Sequence, residues 1–164
     1  MFNKLFLIVT VAISFVACNS QPHSTATEKS NSSIYQLDST DISNWNADSY
    51  GMKQYVMAFL KTGPNRNQDS ATAAQLQNAH LENIGRMAEN GDLLLAGPFL
   101  DNSDIKGIYI FNVSSLEEAK KLTESDPAIK AGRLIMELKP WYGSAALLAV
   151  NDIHSVLPQK AITE

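Results

Sequence analysis

The chain has 164 residues, a net charge of −4 and 45% apolar residues, which is the composition of one globular domain with extensions. Its mild acidity argues against a nucleic-acid partner, because no basic stripe is available to neutralise phosphates. A single cysteine excludes an intrachain disulfide.

The first 18 residues have the pattern of an export signal. Lys4 supplies a short positive region and residues 5–17 are apolar, but the run is too short to span a bilayer as a mature helix. The following Phe-Val-Ala-Cys, ending at Cys18, resembles the lipobox of bacterial lipoproteins, with Phe15 in place of the usual Leu. This resemblance implies that Cys18 is lipidated, that the protein is anchored to a membrane of the bacterial cell envelope and that its domain lies outside the cytoplasm. The alternative is an ordinary signal peptide with Cys18 present by chance.

Residues 19–50 are rich in Ser, Thr and Asn and keep no hydrophobic period, which predicts a flexible tether. We expect the folded domain over residues 51–150, followed by a C-terminal tail over residues 151–164. Within the domain, a small apolar patch at residues 145–150 is consistent with a short helix lying on the fold.

Hydrophobic periodicity predicts four strands and two helices in the domain. A first helix begins near Ser70 and stops at Gly91, whose missing Cβ suits a left-handed cap, and a second helix runs from a capping box at 114–117 to about Asp126. The predicted strands are Lys53–Lys61, Asp92–Phe99, Ile105–Val113 and Arg133–Tyr142. The order β-α-β-β-α-β is the ferredoxin-like split βαβ pattern: an α+β fold with a four-stranded antiparallel sheet and two helices on one face.

The first and third predicted strands are apolar on both faces, so both are expected at the centre of the sheet. Two helices can cover only one face of four strands. The second face then needs a partner, and we predict a homodimer that packs sheet to sheet.

His80 is the candidate site residue that periodicity singles out. It shares a helix face with Leu76, Ile84 and Met87, so it is predicted to point towards the sheet. A core histidine bonded to a backbone carbonyl is the structural alternative. Only three histidines exist, two of them in the predicted flexible ends, and no cysteine cluster is present, so no metal site is expected.

Six segments in register, HLENI, GDLLLAGPF, the strand at Gly107, SLEEA, DPAIKAG and ELKPW, resemble the YCII-related (YciI-like) family over roughly residues 53–142. The resemblance implies the dimeric α+β barrel arrangement and a histidine–aspartate pair in a pocket, which falls here on His80 and Asp126. One branch of that family removes chloride from a chlorinated hydroxyquinol, and muconolactone isomerase is a structural relative. A helix cap before Pro127 would by itself explain an aspartate at 126.

Such a pair implies cofactor-independent proton transfer on a small cyclic or phenolic molecule, as in an isomerase, lyase or dehydrohalogenase. Pro98, Phe99 and Trp141 are the predicted substrate contacts, and no cofactor is expected, although related barrels bind haem. Trp141 could instead close the core. The competing interpretation is a non-catalytic envelope module that binds a small ligand or serves in assembly.

Overall fold

The computed structural model describes residues 42–157. Its strands form one antiparallel sheet in the order β2-β3-β1-β4. The α+β, ferredoxin-like fold predicted from the element order is confirmed. The strands are β1 (Met52–Thr62), β2 (Leu93–Pro98), β3 (Ile105–Phe111) and β4 (Leu134–Ser144), and the helices are α1 (Ser70–Glu89), α2 (Leu116–Glu124), α3 (Pro127–Lys130), a 3-10 helix (Ala145–Ala149) and α4 (Val150–Ser155). Within residues 42–157, no helix is both long and apolar enough to cross a membrane.

Strand β1 lies between β3 and β4 and divides its side chains between the two faces of the sheet. Val56, Ala58 and Leu60 are buried in a cluster that includes residues of α1 and α2, while Tyr55 belongs to a second cluster. The opposite pointing of neighbouring residues follows from the strand period of two. Both faces of the central strands are apolar, as the sequence predicted.

The ends of the helices follow local signals in the sequence. Asp69 caps α1 by accepting a hydrogen bond from Thr72 N, and Gly91 adopts a φ of 76° just after the helix. Around Gly91, the N–H of Asp92 donates to Met87 O over 2.9 Å, so the helix closes with a Schellman motif. The capping box of α2 uses Ser115 and Glu118, one residue later than predicted.

The second sheet face is not left entirely to a partner. Leu147 and Leu148 of the 3-10 helix pack against the cluster of Tyr55, Leu94 and Ile110. Asn151 Nδ2 in α4 also donates to the backbone oxygen of Leu93 over 2.9 Å. The chain therefore covers one end of this face with its own C-terminal segment (residues 145–155), which the helix count alone did not anticipate.

The described chain makes structured contacts on both sides of the predicted domain boundaries. Asp48 accepts hydrogen bonds from the backbone of Met52 and from the hydroxyl of Tyr142, so the chain is tied to the sheet before residue 51. Position 150 is the first residue of α4, and the predicted tail begins inside that helix. Cys18, the predicted signal segment, the predicted tether up to residue 41 and residues 158–164 lie outside the described residues.

Candidate functional site

His80 lies on the inward face of α1 and is only 6% exposed. Its predicted inward orientation is confirmed, but the expected backbone partner of a core histidine is not what it contacts. Nδ1 lies 2.6 Å from Asp126 Oδ2, and Nε2 lies 3.3 Å from the hydroxyl of Tyr109. Both ring nitrogens are therefore engaged by side chains that can exchange or orient a proton.

Asp126 is fully buried between the end of α2 and the start of α3. Its two carboxylate oxygens have separate partners. Oδ1 accepts from the backbone N–H groups of Ala128 and Ile129, at 2.8 and 3.3 Å, while Oδ2 accepts from His80. The helix cap and the histidine contact, weighed as alternatives from the sequence, are both present because each occupies one oxygen.

Tyr109 of β3 completes the row of hydrogen-bonding side chains and is only 2% exposed. Its ring lies nearly parallel to the His80 ring, with centroids 6.3 Å apart. Burial, and then the negative charge of Asp126, raise the pKa of Tyr109. The phenol therefore stays protonated at neutral pH and donates to Nε2, while Nδ1–H donates to the Asp126 carboxylate.

Asn83, Arg86 and Ser125 adjoin the pair and were missed from the sequence. Asn83 is buried one turn after His80, and its Nδ2 lies 3.5 Å from Asp126 Oδ2. The spacing 80, 83, 87 along the buried stripe of α1 was the available signal.

The structure does not bring Trp141 to the pair. Trp141 lies opposite Tyr55 in the β1–β4 register, and the two rings pack 5.9 Å apart on the second sheet face. His80 and Tyr109 occupy the helix-covered face. The predicted pocket shared by Trp141 and the pair is therefore wrong for a single copy of the chain, because strand register sends these side chains to opposite faces.

Pro98 and Phe99 lie at the end of β2, and both are exposed. Pro98 is paired with Gly107, two residues from Tyr109 along β3, so it lies on the same sheet face as Tyr109. Phe99 lies just beyond the strand and donates its backbone N–H to Lys106 O. Their role as substrate contacts stays a prediction.

No group of three or more His, Cys, Asp or Glu side chains with metal-binding geometry occurs in the 42–157 segment. The described site itself presents three hydrogen-bonded groups in sequence: a carboxylate, an imidazole and a phenol. This arrangement holds the imidazole in one tautomer and directs its second nitrogen at a proton donor.

The raised pKa of Tyr109 predicts a loss of stability at alkaline pH. In the unfolded chain a tyrosine ionises near pH 10, whereas the buried phenol keeps its proton, so the free energy of unfolding falls as pH rises above about 10. Urea unfolding of the full chain between pH 8 and 11 measures this slope. We expect Tyr109→Phe to flatten it, whereas Tyr50→Phe, at a tyrosine that is 84% exposed, should leave it. An unchanged slope in Tyr109→Phe would contradict the assignment.

Three similarities connect the chain to known proteins. The model of the YCII-related domain matches residues 55–142. The uncharacterized protein YjpA of Bacillus subtilis (strain 168) is 32% identical over 90 residues, which cover 55% of this chain and 95% of YjpA. The solved structure of 5-chloro-2-hydroxyhydroquinone dehydrochlorinase (TftG) from Burkholderia phenoliruptrix AC1100, in complex with 2,5-dihydroxybenzoquinone, is 20% identical, covers 52% of this chain and 92% of that one, and has a TM-score of 0.40. A likeness of that extent carries no argument about activity. The family match spans more than half of the sequence, and the chain belongs to the YCII-related domain family.

Proposed function

We propose that this protein is a cofactor-independent acid–base enzyme that moves a proton on a small cyclic or phenolic molecule. His80 is the proposed base and Asp126 the group that orients it. The observation that carries the proposal is the 2.6 Å contact between His80 Nδ1 and Asp126 Oδ2 inside the fold. Burying an ionisable pair costs free energy that an apolar pair would not, so its presence favours a chemical role over simple packing.

The tautomer of His80 determines which atom does the chemistry. Because Asp126 accepts the Nδ1 proton, the lone pair of the neutral ring lies on Nε2. Nε2 is also the atom that contacts the Tyr109 hydroxyl. A substrate that displaces this hydroxyl would meet a base already oriented, and Tyr109 would be placed to donate to a developing oxyanion.

The proposed step balances without a further reactant. A C–H bond next to a carbonyl breaks, its proton goes to Nε2, and the electron pair becomes an enolate. The imidazolium is stabilised by Asp126 and returns the proton to another atom of the same molecule, giving an isomer. If a halide leaves with its electron pair instead, the products are the unsaturated molecule and the hydrogen halide.

A non-catalytic module that binds a small ligand or serves in assembly is the second candidate. It is favoured by the near-complete burial of all three groups: 6% exposure for His80, 2% for Tyr109 and none for Asp126. In this alternative the three side chains form a polar network inside the core and never meet a reacting molecule.

Deuterium exchange distinguishes the two candidates without knowledge of the product. The full chain is incubated in D2O with a panel of cyclic ketones, lactones and phenols, and carbon-bound deuterium is measured by NMR. We expect incorporation into at least one compound class, and a loss of roughly 100-fold or more in His80→Gln. Trp141→Phe, on the other sheet face, should keep the rate. Equal rates in wild type and His80→Gln would remove the proposed role of His80.

We also propose a homodimer that uses the open end of the second sheet face. The C-terminal segment covers Tyr55 and Leu94, but Phe59 and Ile108 are only partly buried and Ile135 of edge strand β4 is 46% exposed. Phe59 pairs with Ile108, and Ile135 pairs with Lys61, two residues further along β1, so these side chains share one surface. A stable contact there needs at least about 1,000 Å² of buried surface.

Light scattering on the full chain at micromolar concentration tests this assembly. We expect a dimer for the wild type and a shift towards monomer in Ile135→Lys, because a charge would be buried in the contact. Leu116→Lys is the matched control, since Leu116 is 44% exposed on α2, away from this face. A monomeric wild type, or equal dissociation in both variants, would contradict the proposal.

The proposed location is the cell envelope, with the lipid anchor at Cys18. The signal-like run before Cys18 and the polar segment after it support this proposal. Cys18→Ser should release the protein from membranes or leave the precursor uncut. Continued membrane attachment together with continued labelling by a fatty-acid probe would refute the anchor.

A further inference from the structure

Asn83 has an orientation that its neighbours determine. It is 7% exposed, and its Oδ1 accepts from Arg86 Nη2 over 2.6 Å. Ser125 Oγ lies 3.2 Å from the same oxygen, but its single proton is directed to Leu122 O at 2.6 Å. Arg86 Nη2 also donates to Ser125 Oγ over 3.1 Å, so the three side chains form a closed ring of contacts between α1 and the end of α2. The Arg86 donor on the amide oxygen leaves the amide nitrogen to point the other way.

The amide nitrogen of Asn83 points towards Asp126. Nδ2 lies 3.5 Å from Asp126 Oδ2 and 3.9 Å from Met87 Sδ. Oδ2 is the same carboxylate oxygen that accepts from His80, whereas Oδ1 is held by backbone N–H groups. The carboxylate is thereby held at both oxygens, and Oδ2 is approached from two sides by donors on the same helix.

We propose that Asn83, oriented by Arg86, is a positioning residue that holds Asp126 Oδ2 on His80 Nδ1. The inference rests on the proposed acid–base function for its catalytic meaning, but its geometric content stands apart from activity. The groups that face the pair are Tyr109 from β3 and Asn83 from α1, with the cation of Arg86 behind the amide. In this series of hydrogen bonds from Arg86 through Asn83, the N–H of Asn83 points at Asp126 Oδ2, which stabilises the carboxylate as a hydrogen-bond acceptor.

Asn83→Asp is the informative variant. An aspartate keeps the oxygen that Arg86 binds, but when ionised it cannot donate to Asp126, and it places a second carboxylate near Oδ2. Asn78→Asp is its matched control, because Asn78 lies on the exposed face of the same helix and undergoes the same change of charge. Asn83→Leu removes both sets of contacts. Asn83→Gln, which keeps the amide, is the conservative variant for rescue.

The test reads the tautomer of His80 from its ring ¹⁵N shifts in the full chain, together with the proton shared with Asp126. We expect one Nδ1–H tautomer and a low-field shared proton in wild type and Asn78→Asp. Asn83→Asp should lose the low-field signal and populate the Nε2–H tautomer several-fold more, and its deuterium-exchange rate should fall on the order of tenfold. Asn83→Gln should recover part of both readouts.

The outcomes separate this inference from the proposed function. Suppose that the tautomer of His80 changes in Asn83→Asp, but that the wild-type protein incorporates no deuterium into any tested compound. This result would support the positioning role and contradict the proposed enzymatic function. An unchanged tautomer, shared proton and exchange rate in folded Asn83→Asp would overturn the inference and leave the enzyme proposal intact. If Asn83→Asp does not fold, Arg86→Gln gives the same spectroscopic test, since it removes the donor that orients Asn83.

Discussion

Replacing Asp126 by Ala is expected to lower the free energy of unfolding by roughly 3–5 kcal/mol. The substitution removes the acceptor for the N–H groups of Ala128 and Ile129 and strands the Nδ1–H of His80 inside the fold. Where such a donor is buried, no water molecule can replace the acceptor that it has lost. Urea unfolding of the full chain at neutral pH and fixed protein concentration measures the loss.

Asp126→Asn separates the two functions of the carboxylate. The amide oxygen of the asparagine can still cap α3, and its Nδ2 can donate to His80 Nδ1 if the ring changes tautomer. We therefore expect about half the loss of unfolding free energy seen in the alanine variant. The proposed proton transfer should nevertheless fail, because Nε2 would then carry the proton. Losses below about 1 kcal/mol in both variants would mean that the pair contributes little to the fold.

Replacing Gly63 by Ala is expected to destabilise the chain by roughly 3 kcal/mol or more. A Cβ at this buried position would lie inside the van der Waals contact of the Gly132 carbonyl oxygen and 2.7 Å from the carbonyl carbon of Arg133. The obstacle is backbone, which cannot rotate away. The Gly63 N–H also donates to Arg133 O over 2.9 Å, so the two segments cannot simply separate.

Gly85→Ala is the control for this prediction. Gly85 lies in α1 with no atom within 4 Å of an added Cβ, so the alanine should stabilise the helix by roughly 0.5–1 kcal/mol. Thermal unfolding of both variants gives opposite signs for the same chemical change. If Gly63→Ala caused no loss of stability, the backbone at Gly132 would have to move away from residue 63 more easily than its contacts indicate.

The fold could be predicted because its signals are local. Alternation along residues 53–61 identified a central strand, and the glycine at 91 identified the end of α1, both as found. The sequence signals for the single-turn helix α3 and for α4, which continues past residue 150, are weaker. Short helices depend on contacts with residues that are distant in the sequence. Asn151 bonding to Leu93 O is such a contact.

The site could be predicted only in part. Helical periodicity turned His80 towards the sheet, and the family resemblance supplied Asp126, but their contact depends on how α1 and the end of α2 lie together. Trp141 was placed with them on its aromatic character alone. Strand register decides which face it occupies, and that register depends on a pairing 86 residues away in sequence (141 minus 55).

The two carboxylate oxygens of Asp126 have separate roles, and this affects what the same aspartate indicates when it is found in a relative of this protein. Oδ1 caps the start of α3 independently of the contact between Oδ2 and His80. A relative without the proposed activity would therefore still lose stability if this aspartate were replaced. An Asp-Pro at this place therefore reports an inherited fold, and says little about turnover. The histidine is the more telling position. A relative with an aliphatic residue there and the Asp-Pro intact would keep the fold but lack the proposed base.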